Sequence, residues 1–131
     1  METRVIIINE QGSPSVMKED KIELHPPGKG EVLLRQTAIG LNYMDVYQRS
    51  GYYPLDLPSG LGLEAAGVVE AVGEGVDDLR EGDRTAYGGS APGAYAEYRN
   101  MPASRLVKVP NSISDEQSAA LMLKGMTVEY L

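Results

Sequence analysis

Fifteen glycines and eight prolines divide this 131-residue chain into short pieces, and that punctuation limits its possible folds more than any other property. Glycine tolerates positive φ, while proline fixes φ and removes a backbone donor, so both mark turns. The pieces between them are short and apolar, several with β-branched residues, a pattern that favours strands over long helices. Val5-Ile6-Ile7-Ile8, within Arg4 to Asn9, reads as a buried strand closed by the turn Gln11-Gly12-Ser13-Pro14. A second extended piece is expected over Val16 to Leu24. His25-Pro26-Pro27-Gly28-Lys29-Gly30 ends it, and Glu31 to Ile39 follows as a long strand. Further strands are expected over Ala65 to Val72, Arg84 to Tyr87, Ala94 to Tyr98 and Leu106 to Val109. So many short strands imply a closed or partly closed β structure.

Helices are few. Asn42 stands where it can cap a helix from about Tyr43 to Ser50, with Gly51 as its stop and Pro54 and Pro58 keeping the next stretch irregular. Ser114-Asp115-Glu116-Gln117 has the form of a capping box, opening a helix through about Leu123. A second helix is expected to start near Gly125 or Met126. It has barely begun at Leu131, so the chain is expected to be truncated, with residues from about 112 onward leading into a further domain.

At this length one domain is expected, burying roughly two-thirds of the surface its unfolded form exposes. No apolar run approaches the roughly 20 residues needed to span a bilayer. Met1-Glu2-Thr3-Arg4 also lacks the basic and apolar regions of a signal peptide, so a cytoplasmic protein without membrane insertion is expected. The net charge of -7, with no cluster of Lys or Arg, argues against nucleic acid as a partner. Zero cysteines exclude disulfides, thiolate catalysis and cysteine-ligated zinc. The single histidine, His25, excludes any site needing two imidazoles, and its place before two prolines suggests a surface residue.

The segment Gly62-Leu63-Glu64-Ala65-Ala66-Gly67, continued by Gly73 and Val76, carries the most specific signal. It resembles a signature of the medium-chain alcohol dehydrogenase superfamily, which runs Gly-His-Glu, two residues, Gly, five residues, Gly, two residues and a small apolar side chain. Leu63 replaces the histidine. Leucine has no lone pair to offer zinc, and Asn42 lies near the position of a cysteine ligand in the zinc enzymes. The stretch between Tyr87 and Tyr95 also lacks their four-cysteine structural-zinc lobe. Two more segments, Gly40 to Pro54 and Leu123-Lys124-Gly125-Met126-Thr127, are similar to the zinc-free quinone oxidoreductases related to zeta-crystallin.

The resemblance implies a mainly β, GroES-like, partly closed β-barrel over residues 1–131, truncated before a Rossmann domain. It implies no metal, and NADPH held mainly by the absent domain, since Gly60-Leu61-Gly62 does not make a phosphate-binding turn. The expected substrate is a quinone or similar conjugated carbonyl, and the full-length protein is expected to be a homodimer. Asn42, Asp45, Tyr47 and Tyr53 are the expected catalytic residues lining the cleft. Asn42, Tyr47, Tyr53, Gly125 and Thr127 are the expected cofactor contacts.

Each residue also has a plainer reading. Asn42 and Thr127 can be helix caps, Asp45 can favour a helix dipole, and tyrosines fill cores and interfaces, with Tyr52 beside Tyr53 as another pocket candidate. Glu64 is expected to meet a buried cation or backbone donors, and Lys124 to stabilise a helix end or approach the cofactor. Gly62, Gly67 and Gly73 are expected to permit turns, bulges or close backbone approach. An alkenal or enoyl reductase of the same group is the enzymatic alternative. A non-catalytic GroES-like or crystallin-like module is the other.

Overall fold

The computed structural model describes residues 1–131. Eight strands form two sheets. In the smaller, β1 (Glu2–Ile8) lies between β2 (Lys18–Glu23) and β4 (Ser59–Gly60), antiparallel to both. β2 is exposed along its whole length, and its charged sequence discourages further strand addition at that edge.

The larger sheet has the order β7-β3-β5-β6-β8, all pairs antiparallel. It contains β3 (Glu31–Gly40), β5 (Glu64–Val72), β6 (Arg84–Gly88), β7 (Tyr98–Pro102) and β8 (Val107–Lys108). The sheets meet along β1, where Ile6 N–H donates to Tyr95 O at 2.8 Å and Glu97 N–H to Arg4 O at 3.0 Å. A single bridge pairs Val5 with Ala96. The two sheets do not close into a barrel, so closure is partial.

Strand β5 explains why its first half is so rich in small residues. Period-two alternation sends Ala65 into one core, with Val32, Leu34, Val69, Tyr87 and Met101, and Ala66 into another, with Ala86 and Ala119 of helix α2 (Asp115–Tyr130). Both faces of β5 are therefore covered there. Each fully buried Leu or Ile side chain contributes roughly 1.5–3 kcal/mol.

The helix α1 (Tyr43–Ser50) has the expected bounds, ending at Gly51 in the left-handed region. Three expectations are corrected. Ala94 to Tyr98 is not a regular strand, because this segment crosses between the sheets, bonding to Leu61 and Gly62 on one side and to β1 on the other; pairing with β3 begins only at Tyr98. Ser59–Gly60 pairs with β1 despite Pro54 and Pro58 nearby. Finally, no second helix begins near Gly125: α2 runs unbroken from Asp115 to Tyr130, since one interior glycine costs a helix only about 1 kcal/mol.

Candidate functional site

Glu64 begins β5 opposite Gly40 at the end of β3, beneath α2, and has no exposed surface. Three donors converge on its carboxylate. Oε1 accepts from the Leu123 backbone N–H at 2.7 Å, while Oε2 accepts from Asn42 Nδ2 at 2.7 Å and from Lys124 Nζ at 3.1 Å. The same ammonium donates to Asn42 Oδ1 at 3.0 Å and to Leu41 O at 3.3 Å. Gly40 permits this crowding: a Cβ there would collide with the Ala119 carbonyl of α2 and with the Glu64 carboxylate. Glu64 thus meets one backbone donor and a cation that is half-exposed rather than buried, and its neighbour Leu63 is buried.

Asn42 is the N-cap of α1 and shares a capping-box arrangement with Asp45, but its side chain makes no close hydrogen bond to the helix. Asp45 serves that end instead, its Oδ2 accepting from Asn42 N–H at 3.0 Å. Asp45 is 3% exposed, so its side chain belongs to the interior. Oδ2 also accepts from the Tyr95 hydroxyl at 2.7 Å, and Oδ1 is buried without a partner. Burial, then the hydrogen bond to the Asp45 carboxylate, raises the Tyr95 pKa well above the ordinary phenol value. Tyr95 lies against Gly62, whose φ of +88° and lack of a side chain both suit the contact; a Cβ there would strike the ring.

Sequence reasoning misses Tyr95 as a site residue, because the position falls within an expected strand. The neighbouring Pro92-Gly93 turn is the only local signal, and nothing in the spacing ties position 95 to position 45. A second network holds its segment in place. Gln36 Nε2 donates to Ala94 O and Ala96 O at 2.9 and 2.6 Å, and Gln36 Oε1 accepts from the Tyr87 hydroxyl, which in turn accepts from Arg99 at 3.1 Å.

Tyr47 and Tyr53 form a separate aromatic group with Tyr43 and Tyr52. Tyr47 is its centre, with ring centroids 5.1, 5.0 and 5.5 Å from Tyr43, Tyr52 and Tyr53. Tyr52 and Tyr53 are exposed and Tyr47 is half-buried, so none fills the core. Backbone bonds fix the loop: Tyr53 N–H donates to Tyr47 O at 3.2 Å, and Gln11 Nε2 donates to Tyr53 O at 2.9 Å.

Gly125 and Thr127 lie within α2 rather than at a helix start. Thr127 Oγ1 donates to Leu123 O at 2.9 Å, so it is not a cap. Gly125 borders an apolar cavity of about 290 Å³ with Val107, Val109, Leu121, Met122 and Met126. The structure therefore brings Asn42 and Asp45 together with Glu64, Lys124 and Tyr95. Tyr47 and Tyr53 are grouped beside them on α1 and its following loop, and Gly125 and Thr127 continue from Lys124. His25 is exposed. No three His, Cys, Asp or Glu side chains converge as a metal-ligand group.

Residues 28–111 match the alcohol dehydrogenase GroES-like domain. The chain belongs to that family. It is 49% identical over 92% of its length to a quinone oxidoreductase of Pseudomonas aeruginosa, covering 37% of that protein. It is similar to a 2-haloacrylate reductase of a Burkholderia species, 43% identical over 95% of the chain and 39% of the relative. The crystal structure of Escherichia coli quinone oxidoreductase complexed with NADPH superposes with a TM-score of 0.93 at 45% identity, over 98% of this chain and 39% of that one. This GroES-like chain therefore spans about two-fifths of the length of such relatives.

Proposed function

We propose that this GroES-like domain is the amino-terminal catalytic part of an NADPH-dependent quinone oxidoreductase that works without a metal. The observation that supports this best is the Lys124 ammonium, seated between Leu41 O, Asn42 Oδ1 and Glu64 Oε2. A metal ion placed among Asn42 and Glu64 would have to displace that fixed cation, and Leu63 offers it no ligand.

NADPH supplies the hydride, which with one proton from solvent converts a quinone to a hydroquinone. The acceptor needs little polarisation, because its reduced ring becomes aromatic, so orientation and neutral donors suffice. Asn42 has an amide donor to offer an acceptor oxygen, and the Tyr47 and Tyr53 rings give a planar ligand flat and edge contacts together with phenolic donors. In this reading Asp45 fixes the start of α1 and the Tyr95 hydroxyl rather than touching substrate. Gly125, with open space beside its α carbon, leaves room for a cofactor to approach α2, and Thr127 retains an oxygen that can accept a hydrogen bond. In this reading the remaining cofactor contacts are assigned to the part of the relatives' length that this chain does not span.

The test is NADPH oxidation by the intact enzyme with 1,4-benzoquinone or a naphthoquinone as acceptor. Turnover that survives chelation, and falls when Tyr47 or Tyr53 is replaced by alanine, is expected. Absence of turnover with every quinone offered would reject the reading. Likeness to the 2-haloacrylate reductase favours a second reading, reduction of an activated carbon–carbon double bond. Comparing quinones with unsaturated carboxylates and aldehydes separates the two.

A further inference from the structure

We propose that Glu64 and Lys124 are positioning residues for Asn42, locking its side-chain amide in one orientation so that it presents an N–H donor to a bound ligand. Only the identity of that ligand rests on the reductase reading. A carboxamide can ordinarily turn over between two orientations of nearly equal shape. Here two neighbours of opposite bonding capacity decide between them.

The Glu64 carboxylate only accepts, and Oε2 lies 2.7 Å from one end of the Asn42 amide, which must be its NH2. The Lys124 ammonium only donates, and Nζ lies 3.0 Å from the other end, which must be oxygen. Turning the amide over would set oxygen against carboxylate and NH2 against ammonium at once. The lock is itself held. Lys124 has its three protons directed at Leu41 O, Asn42 Oδ1 and Glu64 Oε2, and Glu64 Oε1 is occupied by the Leu123 N–H.

Asn42 is half-buried, and its backbone N–H is already committed to Asp45. Among the donors of Asn42, the second proton of Nδ2 is the one left free, while Oδ1 is turned to Lys124. A ligand atom that matches it is a hydrogen-bond acceptor, such as the carbonyl oxygen of a quinone or an oxygen of the nicotinamide nucleoside.

The test pairs an exchange measurement with a mutant cycle. In the wild-type chain, the two Nδ2 protons of Asn42 should differ by nuclear magnetic resonance, one protected from solvent exchange and the other exposed. Replacing Lys124 alone strands a buried carboxylate, so the double variant Glu64→Met with Lys124→Met removes both charges and both hydrogen-bonding partners of the amide together. In it both protons should exchange freely.

In the intact enzyme, Asn42→Leu should lower kcat/KM about tenfold in the wild-type background, the loss expected for one hydrogen bond, and by less than twofold or so in the double variant. Varying quinone and NADPH separately shows which of them supplies the oxygen, by which of the two efficiencies falls. Equal exchange of both protons in the wild-type chain, or equal losses in the two backgrounds, would overturn the proposal. If wild-type enzyme reduces no quinone while the protection pattern persists, the reductase reading fails and the amide lock stands.

Discussion

Glu64 is enclosed on every side, so its carboxylate depends on the donors that reach it: one ammonium, one carboxamide and one backbone amide. Removing the ammonium leaves a buried acid with two neutral donors. Lys124 itself is half-exposed, so Lys124→Ala is expected to cost about 1–2 kcal/mol, less than deleting one partner of a fully buried ion pair, while the double variant that removes both charges costs less; thermal or urea unfolding compares them. Tyr95 and Asp45 form the other sensitive pair. Tyr95→Phe removes a charge-assisted hydrogen bond and should cost about 1.5–3 kcal/mol in the same measurement. The raised folded pKa of Tyr95 gives this pair a pH dependence of known sign. Its stabilisation is fully present below the unfolded phenol value of about 10 and is lost as pH rises through the higher folded value. A pair that weakened on mild acidification instead would contradict that linkage.

At the scale of elements, α2 is the piece whose placement matters most, because it carries Lys124 to the site. Its start is fixed by Asp115, which accepts from Thr37 at 2.6 Å and from Arg84 at 2.9 and 2.6 Å. The Thr37 hydrogen bond first, then Arg84, holds the Asp115 pKa below its usual value against the opposing effect of burial. A depressed carboxylate stabilises above its unfolded pKa, near 3.9, and that stabilisation is lost as pH falls through the lower folded value. Asp115→Asn should therefore lower stability at neutral pH and narrow its difference from wild type in acid, which a pH series of unfolding curves reads directly.

Much of this element was legible. The Ser114 to Gln117 capping box is formed as the sequence suggests, with Gln117 N–H donating to Ser114 Oγ at 3.1 Å and Ser114 N–H to Gln117 Oε1 at 2.9 Å. The helix α1 was equally clear, since an asparagine before it and a glycine after it are local signals. The continuity of α2 past Gly125 was not, because packing against β3, β5 and β6 outweighs one residue's propensity. Nor was the Asp45–Tyr95 pair, which joins residues 50 apart through a segment whose course depends on both sheets.

For the whole molecule, two sheets joined along β1 and roofed in part by α2 gather the charged network at one end, with the tyrosine group beside it. The arrangement presents an aromatic surface and an amide donor, with the Lys124 ammonium held among Leu41, Asn42 and Glu64. It covers about two-fifths of the relatives' length, so the 131-residue chain alone should oxidise NADPH negligibly with a quinone; robust turnover by it would show that the domain is self-sufficient. The most direct test of the account is to measure metal content and quinone turnover of the intact enzyme before and after exhaustive chelation. Less than stoichiometric zinc, with turnover unchanged by the chelator, is the predicted result. One zinc per chain, with activity lost on its removal and restored on its return, would contradict it.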